Sequence, residues 1–237
     1  MSGFSTAFLA SSFKQEVLQG IHVLCGTVTS TGTPTNSSNH VTSLGTNMAT
    51  LNVVPGMGVS GTAIPASSYV GFIDSTTSFY MSTNTGAVAN ATSSPGSETI
   101  TFTGDACYVA LGIATPTGTY NASNTNWGSS SGSPTVSNMG TDELAGSGGY
   151  TQGGLAIGVA GWSTPALSSA VAITQPSTNP SWTSATFSTS GCMIYNSSKQ
   201  TRCLYVSGFG GTQTVAAGTF TILMPSNTSS TALIRIA

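Results

Sequence analysis

Cys192-Met193-Ile194-Tyr195-Asn196-Ser197-Ser198-Lys199-Gln200-Thr201-Arg202-Cys203-Leu204-Tyr205-Val206 sets two apolar runs on either side of a polar connection. Runs rich in branched and aromatic residues, separated by turn formers, predict an antiparallel hairpin. If Asn196 faces Lys199, paired positions sum to 395 and Cys192 lies directly opposite Cys203. Directly opposed strand residues have Cβ atoms about 4.5–5.5 Å apart, and a disulfide needs about 3.5–4.5 Å. The pair therefore reads either as a bridge or as two buried thiols, with the thiols preferred because a buried Cys behaves as a small hydrophobe. A one-residue slip would put the two on different faces.

The same extended pattern recurs outward along the chain. Ile100 and Phe102 alternate with Thr99, Thr101 and Thr103, and Cys107, Val109, Leu111 and Ile113 alternate with other residues. Further strands are predicted at Leu51–Val54, Tyr69–Ile73 and Ser78–Ser82, and at about 149–160, 169–174, 183–195, 202–209, 218–224 and 232–236. Many short strands with Gly and Pro between them predict a mainly β fold, an antiparallel β-sandwich or jelly-roll-like domain. One helix is predicted from Ser12 to about Val23, where Phe13, Val17, Leu18 and Ile21 recur at helical spacing. Ser12 and Gln15 have the spacing of a capping box, and Gly20 sits near the far end. Residues 26–48 and 121–141 are low in complexity and read as loops, the first a linker or mobile segment.

Composition removes several functions. The chain has 237 residues, of which 38 are Ser and 38 are Thr, and only 4% are charged. Globular proteins average about 25% charged residues. Four Lys and Arg cannot neutralise a run of phosphates, so no nucleic-acid partner is expected. No apolar stretch reaches the roughly 18 residues a membrane helix needs, so no membrane partner is expected. Met1 to Leu24 has no basic start and is interrupted by Lys14 and Glu16, so it does not read as a secretory signal. A nearly neutral surface gives little repulsion between copies, which favours a component of an assembly over a diffusing enzyme.

Chemical motifs are present in form only. Gly56-Met57-Gly58-Val59-Ser60-Gly61 matches a dinucleotide fingerprint, but Pro65 would break the helix that the fingerprint needs, so the stretch reads as a turn. Gly128-Ser129-Ser130-Ser131-Gly132 matches a nucleophile elbow but lies in a polar tract without a strand before it. Cys25, Cys107, Cys192 and Cys203 have no metal-ligand spacing with one another or with His22 and His40. His22 is expected at the helix end, where positive charge is favoured. Asp142 and Glu143 are adjacent, which on a strand points them apart, and they read as a solvated loop rather than a catalytic pair. Sequons at Asn36, Asn90, Asn121, Asn196 and Asn227 carry no weight in a chain this rich in Ser and Thr. Trp127, Trp162 and Trp182 read as packing residues, with a carbohydrate surface as the alternative. No catalytic, cofactor-binding or metal site is expected.

Two stretches resemble a family. Phe4-Ser5-Thr6-Ala7-Phe8 followed by Ser12-Phe13-Lys14-Gln15-Glu16-Val17-Leu18-Gln19-Gly20-Ile21-His22 is similar to the start of small virion structural proteins of tailed bacteriophages. Tyr108-Val109-Ala110-Leu111, Gly146–Gly154, Trp182-Thr183-Ser184-Ala185-Thr186, Met193-Ile194-Tyr195-Asn196 and the ending Phe220-Thr221-Ile222 to Leu233–Ala237 follow in the same order. Family members run from the helix almost directly into the Tyr108-like strand. The resemblance thus implies residues 1–25 and 107–237 as a main β domain and 26–106 as an inserted small β module. Val54–Pro65 with Ile73-Asp74-Ser75 resembles small β modules of phage surface proteins. The implied role is non-enzymatic and on the virion, assembled in a bacterial cytoplasm, where thiols stay reduced.

The leading expectation is a capsid decoration (cement) protein, whose partners are the major capsid protein and copies of itself, with a trimer as one arrangement. The alternative is a neck or tail appendage that binds host surface glycan. A glycan hydrolase would need Asp142 and Glu143 as its acid and base.

Overall fold

The computed structural model describes residues 3–157, 162–163 and 165–236. The chain divides into two compact units: residues 1–22 with 106–237, and the inserted residues 23–105. In chain order the elements are β1 (Gly3–Phe4), β2 (Phe8–Leu9), α1 (Ser11–Leu18), β3 (Val28–Pro34), β4 (His40–Thr42), β5 (Gly58–Ser60), β6 (Ser68–Ser75), β7 (Ser78–Thr83) and β8 (Glu98–Thr103). They continue with β9 (Cys107–Ile113), β10 (Thr119–Tyr120), β11 (Leu155–Ala156), β12 (Ala166–Ser168), β13 (Val171–Thr174), β14 (Ser181–Asn196), β15 (Arg202–Thr221) and β16 (Ile234–Ile236). The fold is mainly antiparallel β and sandwich-like, with one α-helix among the described residues.

The inserted unit is a closed antiparallel barrel, strand order β3-β4-β7-β6-β5-β8. Alternation builds it: Ile100 and Phe102 of β8, Val41 of β4, Val59 of β5, Val70 of β6, and Phe79 and Met81 of β7 all point into one core. Phe79 meets Phe102 edge to face at 5.3 Å, a favoured aromatic geometry. The segment 26–48, expected to be a mobile loop, instead supplies β3 and β4. Its inward positions on β3 are Ser30, Gly32 and Pro34, which give no apolar signal. They are small because the interior above them is already filled. A Cβ on Gly32 would stand 2.9 Å from the side chains of both Ile100 and Leu44. Leu51–Val54, expected as a strand, is a turn in which Asn52 has φ +54° and the Val53 N–H donates to the Met48 carbonyl. Val53 still reaches the barrel core from there.

The ends of this unit clasp one another. The Val23 N–H donates to Asp105 Oδ2 at 2.8 Å, and the Asp105 N–H donates to the Val23 carbonyl at 2.8 Å. An insertion must leave and return at neighbouring points, and this reciprocal pair enforces that.

In the other unit β11-β9-β14-β15-β2 form one antiparallel sheet, β12-β13-β16 a second, and β1 pairs in parallel with β10. The predicted hairpin is β14 with β15, but in a different register. Ser197–Lys199 is a turn of 3₁₀ helix, and Gln200 and Thr201 are left-handed at φ +54° and +58°. The connection is thus five residues long. Tyr195 pairs with Cys203, and after a register shift Cys192 pairs with Ser207. Cys192 and Cys203 are not opposed; both are buried free thiols. The runs expected at 202–209 and 218–224 are one strand, bent at Gly210, Gly211 and Ala217, all with positive φ. Of the strand expected at 149–160, only Leu155–Ala156 forms, and residues 158–160 lie outside the described residues.

Helix α1 ends at Leu18 rather than near Val23, because Gly20 turns left-handed at φ +67°. Its cap is Ala10 with no side-chain bond, so Ser12 and Gln15 form no capping box. The buried face carries Phe13 and Glu16, while Leu18 is exposed.

Phe102→Ala removes a fully buried ring from the centre of the barrel. It should cost about 3–5 kcal/mol, read as a lower urea midpoint. A loss below about 1 kcal/mol would mean the barrel core is not close-packed around it.

Candidate functional site

The chain has six carboxylates, and four of them, Glu16, Asp105, Asp142 and Glu143, are buried. A buried carboxylate needs donors around it, and each of these has at least one, with Glu143 Oε2 alone among the described carboxylate oxygens buried without a partner.

Asp142, expected on a solvated loop, is 1% exposed at the end of the 3₁₀ turn Gly140–Asp142. It accepts from the Thr117 N–H at 2.9 Å, the Thr117 hydroxyl at 3.1 Å, the Gly118 N–H at 2.7 Å and the Tyr120 hydroxyl at 2.9 Å. Tyr120 stacks on Phe4 at 4.4 Å, which fixes the N-terminal strand to the same loop. Burial, then the bond to Asp142 and its charge, push the Tyr120 phenol far above its usual range. Its neighbour Glu143, 2% exposed, points the other way, into the Gly-rich segment after it. Oε1 accepts from the Tyr150 hydroxyl and the Gly153 N–H, both at 2.6 Å. Tyr150 in turn accepts from the Leu111 N–H of β9 at 3.0 Å. The Trp127 indole acts weakly on the same carboxylate, with Nε1 and Oε2 outside hydrogen-bond geometry. Burial outweighs these donors and raises the Glu143 pKa. The two acids anchor two different loops, and neither has an open face for a substrate.

Glu16 holds a second network. Its Oε1 accepts from Arg202 at 2.5 Å, and its Oε2 lies 2.7 Å from His22 Nε2. His22 Nδ1 lies 2.9 Å from the Asn196 amide nitrogen. With Asn196 donating, Nδ1 is the acceptor and Nε2 carries the proton toward Glu16. His22, expected at the helix end, lies beyond it, since α1 stops at Leu18, and it links α1 to the β14–β15 turn. Asn196 is fully buried, so its sequon offers no surface for a glycan.

The thiols are quiet. Burial pushes Cys192 up to about 12, and burial and Asp105 push Cys25 up to about 11. No group of three or more His, Cys, Asp or Glu able to hold a metal occurs among the described residues. Trp162 and Trp182 are 3% and 5% exposed, and Trp127 stacks on Tyr195 at 4.9 Å. Trp162 and Trp182 are therefore packing residues, and half-buried Trp127 packs its ring on Tyr195.

What the surface does offer is apolar. Phe8, Leu18, Leu167, Leu223 and Ile236 are exposed in the first unit, and Phe72 and Val88 in the barrel. A cavity of about 740 Å³ lies beside β2 and β16, with Phe8, Leu9, Val171, Leu223, Lys14 and Arg235 among its lining residues. On the outside of the barrel His40 stacks on Tyr80 at 4.3 Å, with Phe72 beside them and Asp74 3.4 Å from His40. Sequence reasoning missed both places. Their residues come from distant segments, and no local spacing announces them.

No protein-family model, curated protein or solved structure matches the chain.

A carboxyl whose pKa is raised on folding holds its proton longer in the native state. Its contribution to stability is therefore lost as pH rises from the ordinary value of about 4.3 through the raised one. Glu143→Gln cannot ionise. Its stability relative to the natural chain should rise between about pH 4 and pH 7, as read by urea denaturation at each pH. A difference that does not change with pH would show that Glu143 carries no raised pKa.

Proposed function

We propose that the protein is a non-enzymatic virion structural protein, and specifically a capsid decoration protein that binds the assembled head shell of a tailed bacteriophage. The observation that carries this is where the charge goes. Most of the acids are spent inside as hydrogen-bond acceptors, so the outside is built of hydroxyls, amides and exposed apolar side chains. Over most of its area such a surface recognises by fit and backbone hydrogen bonding rather than by acid–base chemistry or salt bridges.

The edge of β15 supports the same reading. Its outer side is covered as far as Gly208, by β2 at Tyr205 and Val206 and by backbone bonds with Thr125, Ala10 and Ser5, and beyond Gly208 no strand pairs with that side among the described residues. No charged residue occurs between Arg202 and Arg235, and no Pro before Pro225. Free-standing proteins usually protect a strand edge with charge, Pro or a covering element. An unprotected edge suits a protein whose neighbours in an assembly complete it. Binding to the assembled shell but not to free subunits stabilises the shell by mass action. Partners are the major capsid protein and further copies of this chain, for which a three-fold arrangement matches a symmetric shell.

Purified particles test this. The chain should be present in proportion to shell subunits and remain bound at about 1 M salt, where exposed charge pairs are screened. Its absence from the particle, or release at that salt, overturns the reading.

The barrel strip of His40, Tyr80 and Phe72 favours a second reading, an appendage that binds host glycan, since aromatic rings beside a carboxylate and the Ser78 hydroxyl suit a sugar. Glycan-array binding that disappears in Tyr80→Ala would support it, and an array without signal would remove it.

A further inference from the structure

Only four side chains carry a permanent positive charge: Lys14, Lys199, Arg202 and Arg235. Arg202 is committed to Glu16. Lys14 and Arg235 come from opposite ends of the sequence and line the same cavity. Among the described residues neither forms an ion pair; Arg235 donates to the Ser230 carbonyl at 2.5 Å. No Asp or Glu lines the cavity. The rest of the lining is mostly apolar, with Phe8, Leu9, Val171, Leu223 and Leu233 its largest aliphatic and aromatic members and Tyr205, Ser229 and Thr231 its neutral polar ones. Leu223 is 77% exposed and Phe8 41% exposed, so the site is an open groove rather than an enclosed pocket.

We propose that this groove captures an extended, acidic and apolar peptide segment of a partner protein. Lys14 and Arg235 take its carboxylates, and Phe8, Leu9 and Leu223 take its apolar side chains.

Three observations select that occupant. The charge is complementary to acids only. The groove is flanked by β2 and β16, each the last strand of its sheet. Such edges recruit an added backbone, which a fatty acid or other small amphiphile cannot supply. A second copy of this chain is a poorer match, because four of its acids are buried and the other two, Asp74 and Glu98, stand singly and already accept hydrogen bonds. Asp74 accepts from Ser78 and lies beside His40, and Glu98 accepts from the Ala63 N–H. The partner is therefore a different protein. The inference rests on the docking role only in taking the partner to be a protein. Its test uses the purified chain without particles, so either can fail alone.

Three short fluorescein-labelled peptides serve as probes: alternating Leu and Glu, alternating Leu and Lys, and alternating Ser and Glu. Fluorescence anisotropy should show binding of the Leu–Glu peptide, with the other two at least about tenfold weaker. Binding should weaken as salt rises from about 0.05 to about 0.5 M. Lys14→Gln combined with Arg235→Gln should weaken it about tenfold or more, and Leu223→Ser should weaken it without changing the salt dependence. All three side chains are exposed, so unchanged melting of the variants confirms that folding is intact. Absence of binding, equal binding of the Leu–Lys or Ser–Glu peptide, or unchanged affinity in the double variant overturns the proposal. Displacement of the peptide by dodecanoate, with dodecanoate the tighter ligand, overturns it in favour of a small amphiphile. Self-association that Leu223→Ser abolishes overturns it in favour of a second copy.

Discussion

A carboxylate taken out of water must be given its hydrogen bonds back, and in this chain that requirement organises the loops. Asp142 and Glu143 are neighbours in sequence, yet one gathers the turn at residues 117–120 and the other the turn at residues 150–153. Through Tyr120 and Phe4 the first reaches the N-terminal strand, and through Tyr150 the second reaches the interior strand β9. Glu16 does the same for α1 and the β14–β15 turn by way of His22, Asn196 and Arg202. These bonds are directional, which hydrophobic burial is not. They give definite positions to long Gly- and Ser-rich loops that have few large side chains of their own.

Asp105 applies the same chemistry at the boundary of the inserted unit. Its carboxylate and backbone both bond Val23, so the two ends of residues 23–105 meet side by side. The barrel between those ends closes on itself and has no free sheet edge, which abolishes the usual hazard of an added strand. A closed module with adjacent ends can be carried by another domain without disturbing the host sheet.

Spending acids on the interior leaves an outside with few of them. The proposed virion role and the proposed peptide groove are both consequences of that distribution. A surface with little charge of either sign packs closely against neighbours, and the two cations that do meet at one groove gain discriminating power from the neutrality around them.

Much of the β content was legible because it rests on local pattern, alternation at Ile100 and Phe102 and an unbroken apolar run along Cys192–Tyr195. The barrel strand Val28–Pro34 was not legible. Its inward residues are small, and what makes them interior is Ile100 and Leu44 arriving from elsewhere in the chain. The hairpin was visible but its register was not, since the left-handed Gln200 and Thr201 lengthen the turn and carry Cys203 away from Cys192. The adjacent acids read as solvent-facing because nothing nearby in sequence marks Thr117, Gly118 or Gly153 as their donors. Composition and period thus determined a charge-poor, mainly β chain with one helix. Which polar groups are buried, which strand faces which, and where two cations meet were decided only by the tertiary structure, because hydrogen-bond donors and cavity walls are brought together across long sequence separations that no local pattern encodes.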